Sequence, residues 1–370
     1  MILTLSPGST STKVAIFKGE ERVFKSNVTH DPAELKQFDF AGDQLEYRIA
    51  AIMKELDANN VKLEDMDAFS GYCGGMGPCP GGIYLIDEKV CDTVLNCGTN
   101  HPAILGAPIL YKFGQQVGKP AYAVNQPDTD ELQDVARITG YPGVYRKSHV
   151  HCLNQKECAI RCANELGKAY EEGNFIVAHV GGGLSVAAHR QGQMIDTNDV
   201  LEGSGPFAPN RSGDVPAKPL ASICYGGTDK KEVMNVIGKT GGLVGLVGTD
   251  NTLEIKKRIA EGDKWAALVY ETMAYQVGKA IGAFAAALKG KVDGIVLTGG
   301  VSNDADFVAY VTEMVGWIAP VKAYGGDFEM EALASGAIRA IEGTEEIKTY
   351  TGIPSWTGFD MPGAFEPLKY

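Results

Sequence analysis

Short apolar runs on either side of glycine-rich turns dominate the hydrophobic pattern of this chain. Residues 2–5 are apolar, a turn rich in glycine, serine and threonine follows, and residues 14–17 are apolar again. The same design recurs near the middle of the chain, where apolar residues 175–180 and 184–189 flank three consecutive glycines. Such runs around a tight turn are typical of β-hairpins. The pattern therefore predicts two hairpins of one design and suggests two duplicated lobes.

Helical periodicity fills much of the chain between and after these strands. The predicted helices are residues 45–56, 153–170, 253–261, 265–288, 307–317 and 329–341. A further buried strand, residues 294–301, runs into a Gly-Gly turn. Strands that alternate with helices indicate the α/β class. Neither hairpin turn opens a helix, which argues against a dinucleotide-binding βαβ unit and against a P-loop.

The glycine-rich turns predict a phosphate site. Glycine lets the backbone approach an anion closely and point its N–H groups at it, and hydroxyls and a lysine add further donors. The candidate nucleotide-binding residues are Gly8, Ser9, Thr10, Ser11, Thr12 and Lys13 in the first turn, Gly181, Gly182 and Gly183 in the second, and Gly299 and Gly300 in the third. One such turn alone would favour an ordinary hairpin, whereas three favour phosphate binding.

Charge narrows the choice of partners. The 370 residues carry a net charge of −12, which argues against general binding to nucleic acid or to anionic membranes. The most apolar segment, residues 265–288, contains Glu271, Gln276 and Lys279 and predicts a buried helix instead of a membrane span. The first residues lack the basic and apolar regions of a signal peptide, so we expect a cytoplasmic protein.

Eight cysteines are present, and we expect reduced thiols. Four of them, Cys73, Cys79, Cys91 and Cys97, fall within 25 residues, which leaves open a zinc or iron–sulfur site. Their spacing differs from the usual two to four residues, and small buried cysteines are common. A thiol-ligated metal is therefore a minor alternative.

Several longer motifs resemble the acetate kinase family. They are Ser6-Pro-Gly-Ser-Thr-Ser-Thr-Lys13, His179-Val-Gly-Gly-Gly-Leu-Ser185, Gly205-Pro-Phe and Arg211-Ser-Gly-Asp214. Arg146-Lys-Ser, Leu153-Asn-Gln-Lys156 and Ala274-Tyr-Gln-Val277 point to the butyrate kinase branch. The match extends from Ile2 to about Arg339, nearly the whole chain.

The resemblance implies two actin-like (ribonuclease H-like) lobes, the fold of sugar kinases, Hsp70 and actin. Residues 1–152 with about 340–370 would form an N-terminal lobe with the first phosphate loop and the acceptor side. Residues 153–339 would form a C-terminal lobe with the second phosphate loop and the adenosine side. A homodimer, ATP with Mg²⁺, and reversible phosphorylation of a short-chain carboxylate to an acyl phosphate are also implied.

Site residues follow from the same resemblance. Arg211 and His179 match groups that contact the transferring phosphoryl group, and an arginine fork can bond two oxygens at once. His101 and His151 match two substrate-side histidines, and Glu329 matches the acid expected near Mg²⁺. The alternatives for these residues are a salt bridge of Arg211 with Asp214, core histidines and an exposed glutamate.

The chain departs from the family pattern at presumed functional positions. Ser6 stands where asparagine is usual, and Tyr72 (or Cys73 with a shift of one residue) where a substrate-binding arginine is expected. Asn125 stands where the family has a catalytic aspartate. The nucleotide-side loop carries Asn251 and Leu253 in place of aspartate and arginine.

Two functional hypotheses follow. In the first, the protein is a working carboxylate kinase whose acceptor pocket is rebuilt. In the second, it is a catalytically impaired paralogue that binds nucleotide or a partner subunit. The retained Arg211, His179, Lys13 and glycine turns favour the first hypothesis, and the departures favour the second.

Overall fold

The computed structural model of the protein describes residues 1–359, and the chain folds into two compact units. Unit 1 comprises Met1–Asp130 and Phe328–Phe359, and unit 2 contains Glu131–Asp327. These boundaries differ from the lobes expected at 152 and 339. Glu131 belongs with unit 2 because its carboxylate pairs with Lys156 at 2.8 Å and accepts the N–H of Met194. Residues 360–370 of the expected N-terminal lobe lie outside the described residues.

The described residues form twelve strands and thirteen α-helices. The strands are β1 Ile2–Pro7, β2 Ser11–Lys18, β3 Glu21–Thr29, β4 Ala68–Gly71, β5 Ile83–Leu85, β6 Ala121–Val124, β7 Asn174–Val180, β8 Leu184–Arg190, β9 Gln193–Thr197, β10 Gly294–Gly299, β11 Val321–Gly325 and β12 Ile347–Lys348. The helices are α1 Pro32–Leu35, α2 Leu45–Ala58, α3 Glu88–Leu95, α4 Gly106–Val117, α5 Asp134–Arg137, α6 Cys152–Glu165, α7 Ala217–Tyr225, α8 Lys230–Asn235, α9 Gly242–Val247, α10 Thr252–Ala260, α11 Lys264–Ala287, α12 Ala305–Val315 and α13 Glu329–Glu342.

The two sheets repeat one topology. Unit 1 has the strand order β12-β5-β6-β4-β1-β2-β3, and unit 2 has β11-β10-β7-β8-β9. In unit 1 the central strand β1 pairs antiparallel with β2 and parallel with β4, and β6 pairs parallel with β4. In unit 2, β7 likewise pairs antiparallel with β8 and parallel with β10, and β11 pairs parallel with β10. The duplication predicted from the two hairpins is therefore confirmed.

Predicted and observed elements agree within a few residues except at the end of α6. The pattern predicts a helix over 153–170, but α6 ends at Glu165. Gly167 adopts a left-handed φ of 69°, and the N–H of Leu166 closes the last turn on Cys162. A left-handed glycine after the last turn ends a helix because it satisfies the terminal carbonyls. The apolar residues beyond it belong to a separate turn.

Each sheet is covered by helices that bury one apolar face. In unit 2, α11 packs on β7 and β8 through residues spaced three or four apart, namely Val269, Met273, Val277, Ile281 and Phe284. Each such side chain contributes about 1.5–3 kcal/mol when it leaves water. Among residues 1–359, no helix combines the length and the apolar character needed to cross a bilayer.

In unit 1, α13 lies directly on the sheet at Gly336. A Cβ on this glycine would lie 2.5 Å from Cγ1 of Val124 on β6. We therefore expect Gly336→Ala to lower the free energy of unfolding by about 1–3 kcal/mol, the usual cost of overpacking. Urea denaturation followed by circular dichroism measures this change.

Gly282 on α11 provides the matched control, because a Cβ there meets no atom within 4 Å. Gly282→Ala should raise the free energy of unfolding by about 0.5–1 kcal/mol, since alanine is the better helix former. A Gly336→Ala protein as stable as the wild type would contradict the packing of α13 on β6.

Candidate active site

The first glycine-rich turn joins β1 to β2 and exposes its tip. The N–H of Gly8 donates to the carbonyl of Ser11 at 2.7 Å, which closes the hairpin. Ser9 and Thr10 are exposed, whereas Thr12 is fully buried. The turn thus presents backbone groups and hydroxyls to solvent at its tip, as a phosphate loop requires, while Thr12 points inward.

Arg48 on α2 holds this turn from behind, and sequence reasoning missed it. Its guanidinium donates to the carbonyls of Gly8 and Ser9 at 2.9 and 3.1 Å, to Thr12 Oγ1 at 3.2 Å and to Gln44 Oε1 at 2.9 Å. Burial lowers the pKa of Arg48 to about 10, so it stays charged at neutral pH. A fixed positive charge therefore lies behind the first turn.

His30 completes this support. Its backbone N–H donates to the carbonyl of Thr10, and its Nε2 lies 2.9 Å from Thr12 Oγ1. Burial, with the nearby charge of Arg48, lowers the pKa of His30 to about 4. His30 is thus neutral at physiological pH and acts as a structural contact of the turn.

Lys13 and Glu329 lie together. Lys13 Nζ forms an ion pair with Glu329 Oε2 at 3.2 Å, and Glu329 is the first residue of α13. The structure thus joins the lysine expected to bind phosphate to the acid expected near a metal. The roles of both residues stay predictions.

The other predicted residues of unit 1 follow strand ends at one edge of the sheet. Because β1, β4 and β6 are parallel, the first turn, Tyr72 and Asn125 lie at the same edge. Cys73 links two of these segments, since its N–H donates to Gln126 Oε1 at 3.0 Å. His101 lies at the start of a turn whose Gly106 packs against the Tyr72 carbonyl. Tyr72 and Asn125 therefore lie at this edge, and the turn that begins after His101 packs against it.

Asn125 has a structural task at this edge. Its φ is 42°, a left-handed conformation that asparagine tolerates. Its Oδ1 accepts the N–H of Gly82 at 2.9 Å, and its own N–H donates to the Gly82 carbonyl at 2.9 Å. The side-chain oxygen of Asn125 thus braces the loop before β5. His101 likewise serves a local role, because its Nδ1 accepts the N–H of Ala103 at 3.2 Å.

In unit 2 the structure brings Gly183, Arg211 and His151 together. A Cβ on Gly183 would lie 2.5 Å from Nη1 of Arg211 and 3.2 Å from Cε1 of His151. Gly181 borders His179 in the same way, because a Cβ there would lie 3.0 Å from its Nε2. The second glycine turn therefore lies against the three predicted side chains, and a Cβ at Gly183 would require the guanidinium of Arg211 to shift.

Arg211 has no carboxylate partner among the described residues. Its Nη1 donates to the carbonyl of Val200 at 3.3 Å. The alternative salt bridge with Asp214 is absent among these residues, and Asp214 Oδ1 instead accepts the N–H of Gly205 at 2.9 Å. Burial lowers the pKa of Arg211 from its usual value. A half-buried guanidinium without an acidic partner is suited to an anionic ligand.

His151 and His179 form a stacked pair. Their ring centroids lie 4.0 Å apart with planes 18° from parallel. Burial lowers the pKa of His179 to about 4 and holds that of His151 well below its usual value, where the charges of His179 and Arg211 add to the effect. His151 Nδ1 lies 2.8 Å from Ser185 Oγ, and His179 Nδ1 lies 2.9 Å from Asn154 Oδ1. Both rings are therefore neutral at physiological pH and held by polar neighbours.

The third glycine turn follows β10 at the same edge of the unit 2 sheet as the second. Gly299 has a φ of 88°, and a Cβ there would lie 2.4 Å from the carbonyl of Val180. Gly299 thus allows close strand packing, whereas Gly300 lines a cavity of about 590 Å³ with Thr252, Leu253, Lys256, Asn303, Asp304 and Ala305. Asn251 precedes the first of these lining residues and caps α10 through its Oδ1.

The four cysteines of the possible thiol-ligated metal site do not come together as a group of ligands within the described residues. Cys73, Cys79 and Cys91 are buried and Cys97 is exposed, and none of the four forms a disulfide within residues 1–359. Within residues 1–359, the only group of three potential metal ligands in reach of one another is His149, Asp199 and Glu202. Burial raises the pKa of Cys91 to about 12, which suits a thiol packed in the core.

Comparison with known proteins now decides the family. A family model described as "Acetokinase family" matches residues 136–335. A probable butyrate kinase of Listeria monocytogenes is 39% identical over 94% of this chain and 99% of its own length. The chain belongs to the acetokinase family. Butyrate kinase 2 of Clostridium acetobutylicum is 40% identical over the same shares.

Solved structures confirm the fold class. The crystal structure of acetate kinase from Porphyromonas gingivalis matches 92% of this chain and 99% of its own, with a TM-score of 0.75 at 20% identity. The predicted α/β fold with two actin-like (ribonuclease H-like) lobes is therefore confirmed, and so is the resemblance to the butyrate kinase branch.

The Arg48 contacts generate a stability prediction. Arg48→Met should lower the free energy of unfolding by about 1.5–3 kcal/mol, the range for losing hydrogen bonds to a charged group. Arg22→Met is the control, because Arg22 forms a partly exposed ion pair with Glu331 and should change stability by less than about 1 kcal/mol. If Arg48→Met and Arg22→Met lower the free energy of unfolding equally in urea denaturation, Arg48 does not support the turn.

The buried, neutral histidines predict how the stability of the protein depends on pH. Burial lowers the pKa of His179 to about 4 and of His189 to about 3, so the unfolded chain binds their protons at higher pH than the folded chain does. These histidines therefore contribute their full share of the free energy of unfolding above about pH 6.5. As the pH drops toward the two folded-state pKa values, the free energy of unfolding falls by up to about 1.4 kcal/mol per pH unit for each histidine.

Urea denaturation at pH 8 to 4.5 measures this dependence. The free energy of unfolding of the His189→Gln protein should fall less steeply than that of the wild type between pH 6 and 4.5. Both proteins should show the same slope between pH 7 and 8. An unchanged slope in the acid range would contradict a buried, neutral His189.

Proposed function

We propose that the protein is a butyrate kinase-like phosphotransferase, which reversibly phosphorylates a short-chain carboxylate with ATP to give an acyl phosphate. The observation that carries this proposal is Arg211, a guanidinium without an acidic partner in the described chain, placed against Gly183 and His151. The names of the relatives in Listeria monocytogenes and Clostridium acetobutylicum support the same activity.

Phosphoryl transfer needs positioning and charge neutralisation more than covalent help from the protein. Arg211 would bond two oxygens of the transferring phosphoryl group through its planar fork. Gly181, Gly182 and Gly183 would admit that group, because a Cβ at Gly183 would occupy the space beside Arg211. Each neutral histidine ring of the stacked pair offers an Nε2 atom for contacts with the reacting oxygens.

The same reaction class requires that the protein bind ATP and a divalent cation. The turn from Gly8 to Lys13 would hold phosphate oxygens with the buried charge of Arg48 behind it. The cavity beside Gly300 has about 590 Å³, which suits the adenosine part of ATP. A divalent cation, for which we propose Mg²⁺, neutralises phosphate charge when bound. Glu329 is the candidate acid in unit 1, where it already pairs with Lys13.

The acceptor is a small carboxylate in this proposal, and His101, His151 and Tyr72 are its candidate contacts. Tyr72 stands in place of the expected arginine, and Asn125 in place of the expected aspartate. A rebuilt acceptor pocket would account for both departures. In this structure the side chain of Asn125 accepts the N–H of Gly82. A cytoplasmic homodimer completes the proposal.

Acyl phosphate trapping tests this function. The purified protein is mixed with MgATP and acids from acetate to branched and aromatic carboxylates, and acyl phosphate is trapped as hydroxamate. Arg211→Ala should lower kcat/KM by about a hundred- to a thousandfold, because it removes a transition-state contact. Arg190→Ala is the matched control, since Arg190 is an exposed arginine at the end of β8, and it should keep wild-type activity.

Two outcomes would count against the proposal. Wild-type protein that forms no hydroxamate with any acid, yet gains thermal stability with ATP, would support the impaired paralogue. Arg211→Ala protein with wild-type kcat/KM would remove the central role of Arg211. Loss of turnover with EDTA and its return with Mg²⁺ would support the proposed metal.

A further inference from the structure

A chain of buried polar side chains in unit 2 leads from the protein interior to His151. It runs from Tyr170 through His189, Gln155 and Ser185 to the ring of His151. His189, Gln155 and Ser185 are all fully buried. Fully buried polar groups are costly unless paired, so the direction of each hydrogen bond in this chain is fixed by its neighbours.

One atom decides the orientation of Gln155. Its Nε2 lies 3.1 Å from the backbone carbonyl oxygen of Ser185, which can only accept a hydrogen bond. The amide NH₂ group must therefore face Ser185, and its second hydrogen points at Ser185 Oγ, 2.7 Å away. The amide oxygen must then face His189 Nε2 at 3.1 Å.

His189 fits this orientation. Its Nε2 must carry the hydrogen that Gln155 Oε1 accepts, so its Nδ1 is bare and accepts the hydroxyl of Tyr170 at 2.8 Å. Burial lowers the pKa of His189 to about 3, and the ring is therefore neutral with one N–H only. The inner end of the chain agrees with the direction set by Gln155.

The hydroxyl of Ser185 passes this direction on to His151. Its oxygen already accepts from Gln155 Nε2 and, at 3.5 Å, from the backbone N–H of His151. Within the described chain, the acceptor left for its hydrogen is His151 Nδ1 at 2.8 Å. Since the neutral ring carries one hydrogen, that hydrogen lies on Nε2.

We propose that Gln155, acting through Ser185, is a positioning residue that holds His151 in the tautomer with its hydrogen on Nε2. The inference rests on the proposed function, in which a phosphoryl group lies beside Gly183, Arg211 and His151. A neutral histidine that presents an N–H donates a hydrogen bond to phosphoryl oxygen, whereas the other tautomer would present a lone pair and repel it. The relay therefore makes His151 a donor without a positive charge next to Arg211.

Nitrogen NMR of the full chain labelled with ¹⁵N-histidine tests the tautomer directly. Long-range proton–nitrogen spectra distinguish a ring nitrogen that carries hydrogen from one that does not, and His151→Gln assigns the signals. We expect hydrogen on Nε2 and a bare Nδ1 for His151 in the wild type. Hydrogen on Nδ1 would overturn the proposal.

Ser185→Ala removes the hydroxyl that selects the tautomer. We expect its His151 signals to report a mixture of both tautomers and its kcat/KM to fall, by less than the roughly hundredfold loss expected for His151→Ala. Ser185→Thr keeps the hydroxyl and should restore the wild-type spectrum. Ser185→Ala protein with the wild-type tautomer would overturn the relay.

The NMR spectra test the tautomer of His151, and the kinetic measurements test the proposed function. A wild-type protein with the expected tautomer but no acyl phosphate formation would leave the relay intact and refute the proposed function. Active protein with the opposite tautomer would refute the relay alone. The wild-type spectrum decides the tautomer even if a variant does not fold.

Discussion

The unit 2 site depends on the close approach of the Gly183 backbone to the side chains of Arg211 and His151. The backbone turn comes so close to Arg211 and His151 that a single added carbon would meet a guanidinium nitrogen at 2.5 Å. This closeness follows from the short hairpin between β7 and β8, which leaves three glycines to turn the chain. The proposal that Arg211 and His151 contact one phosphoryl group depends on that approach.

The sheet topology explains why the candidate residues gather within each unit. Parallel neighbours β1, β4 and β6 deliver their following loops to one edge, and β7 and β10 do the same in unit 2. Apolar runs and glycines made β1, β7 and β10 and the turns after them predictable from the sequence, because burial and tight turning leave a local pattern. The short strands β4 and β6 were not predicted. Apart from the end of α6, the ends of the predicted helices agree within a few residues for the same reason.

Contacts made between distant segments left no such local pattern. Arg48 lies on the apolar stripe of α2 with Ile52 and Leu56, and that spacing was its only signal. A charged residue on a helix usually faces water, so the sequence alone does not single it out. Asn154 and Gln155 stood inside a motif that resembled butyrate kinases, but their tasks depend on Ser185 and His179, which follow some 25 to 30 residues later. The sequence predicts Asn125 as the replacement of a catalytic acid, and the loop at Gly82 reveals what its side chain contacts.

The anchoring of the first turn by Arg48 has a kinetic consequence for any ligand that binds there. Because the Gly8 and Ser9 carbonyls are already fixed from inside, the turn keeps its shape before a ligand arrives. The entropy of ordering this loop is therefore lost during folding and not again at each binding event. Such a preorganised loop can release one anion and accept the next without refolding, as repeated turnover demands.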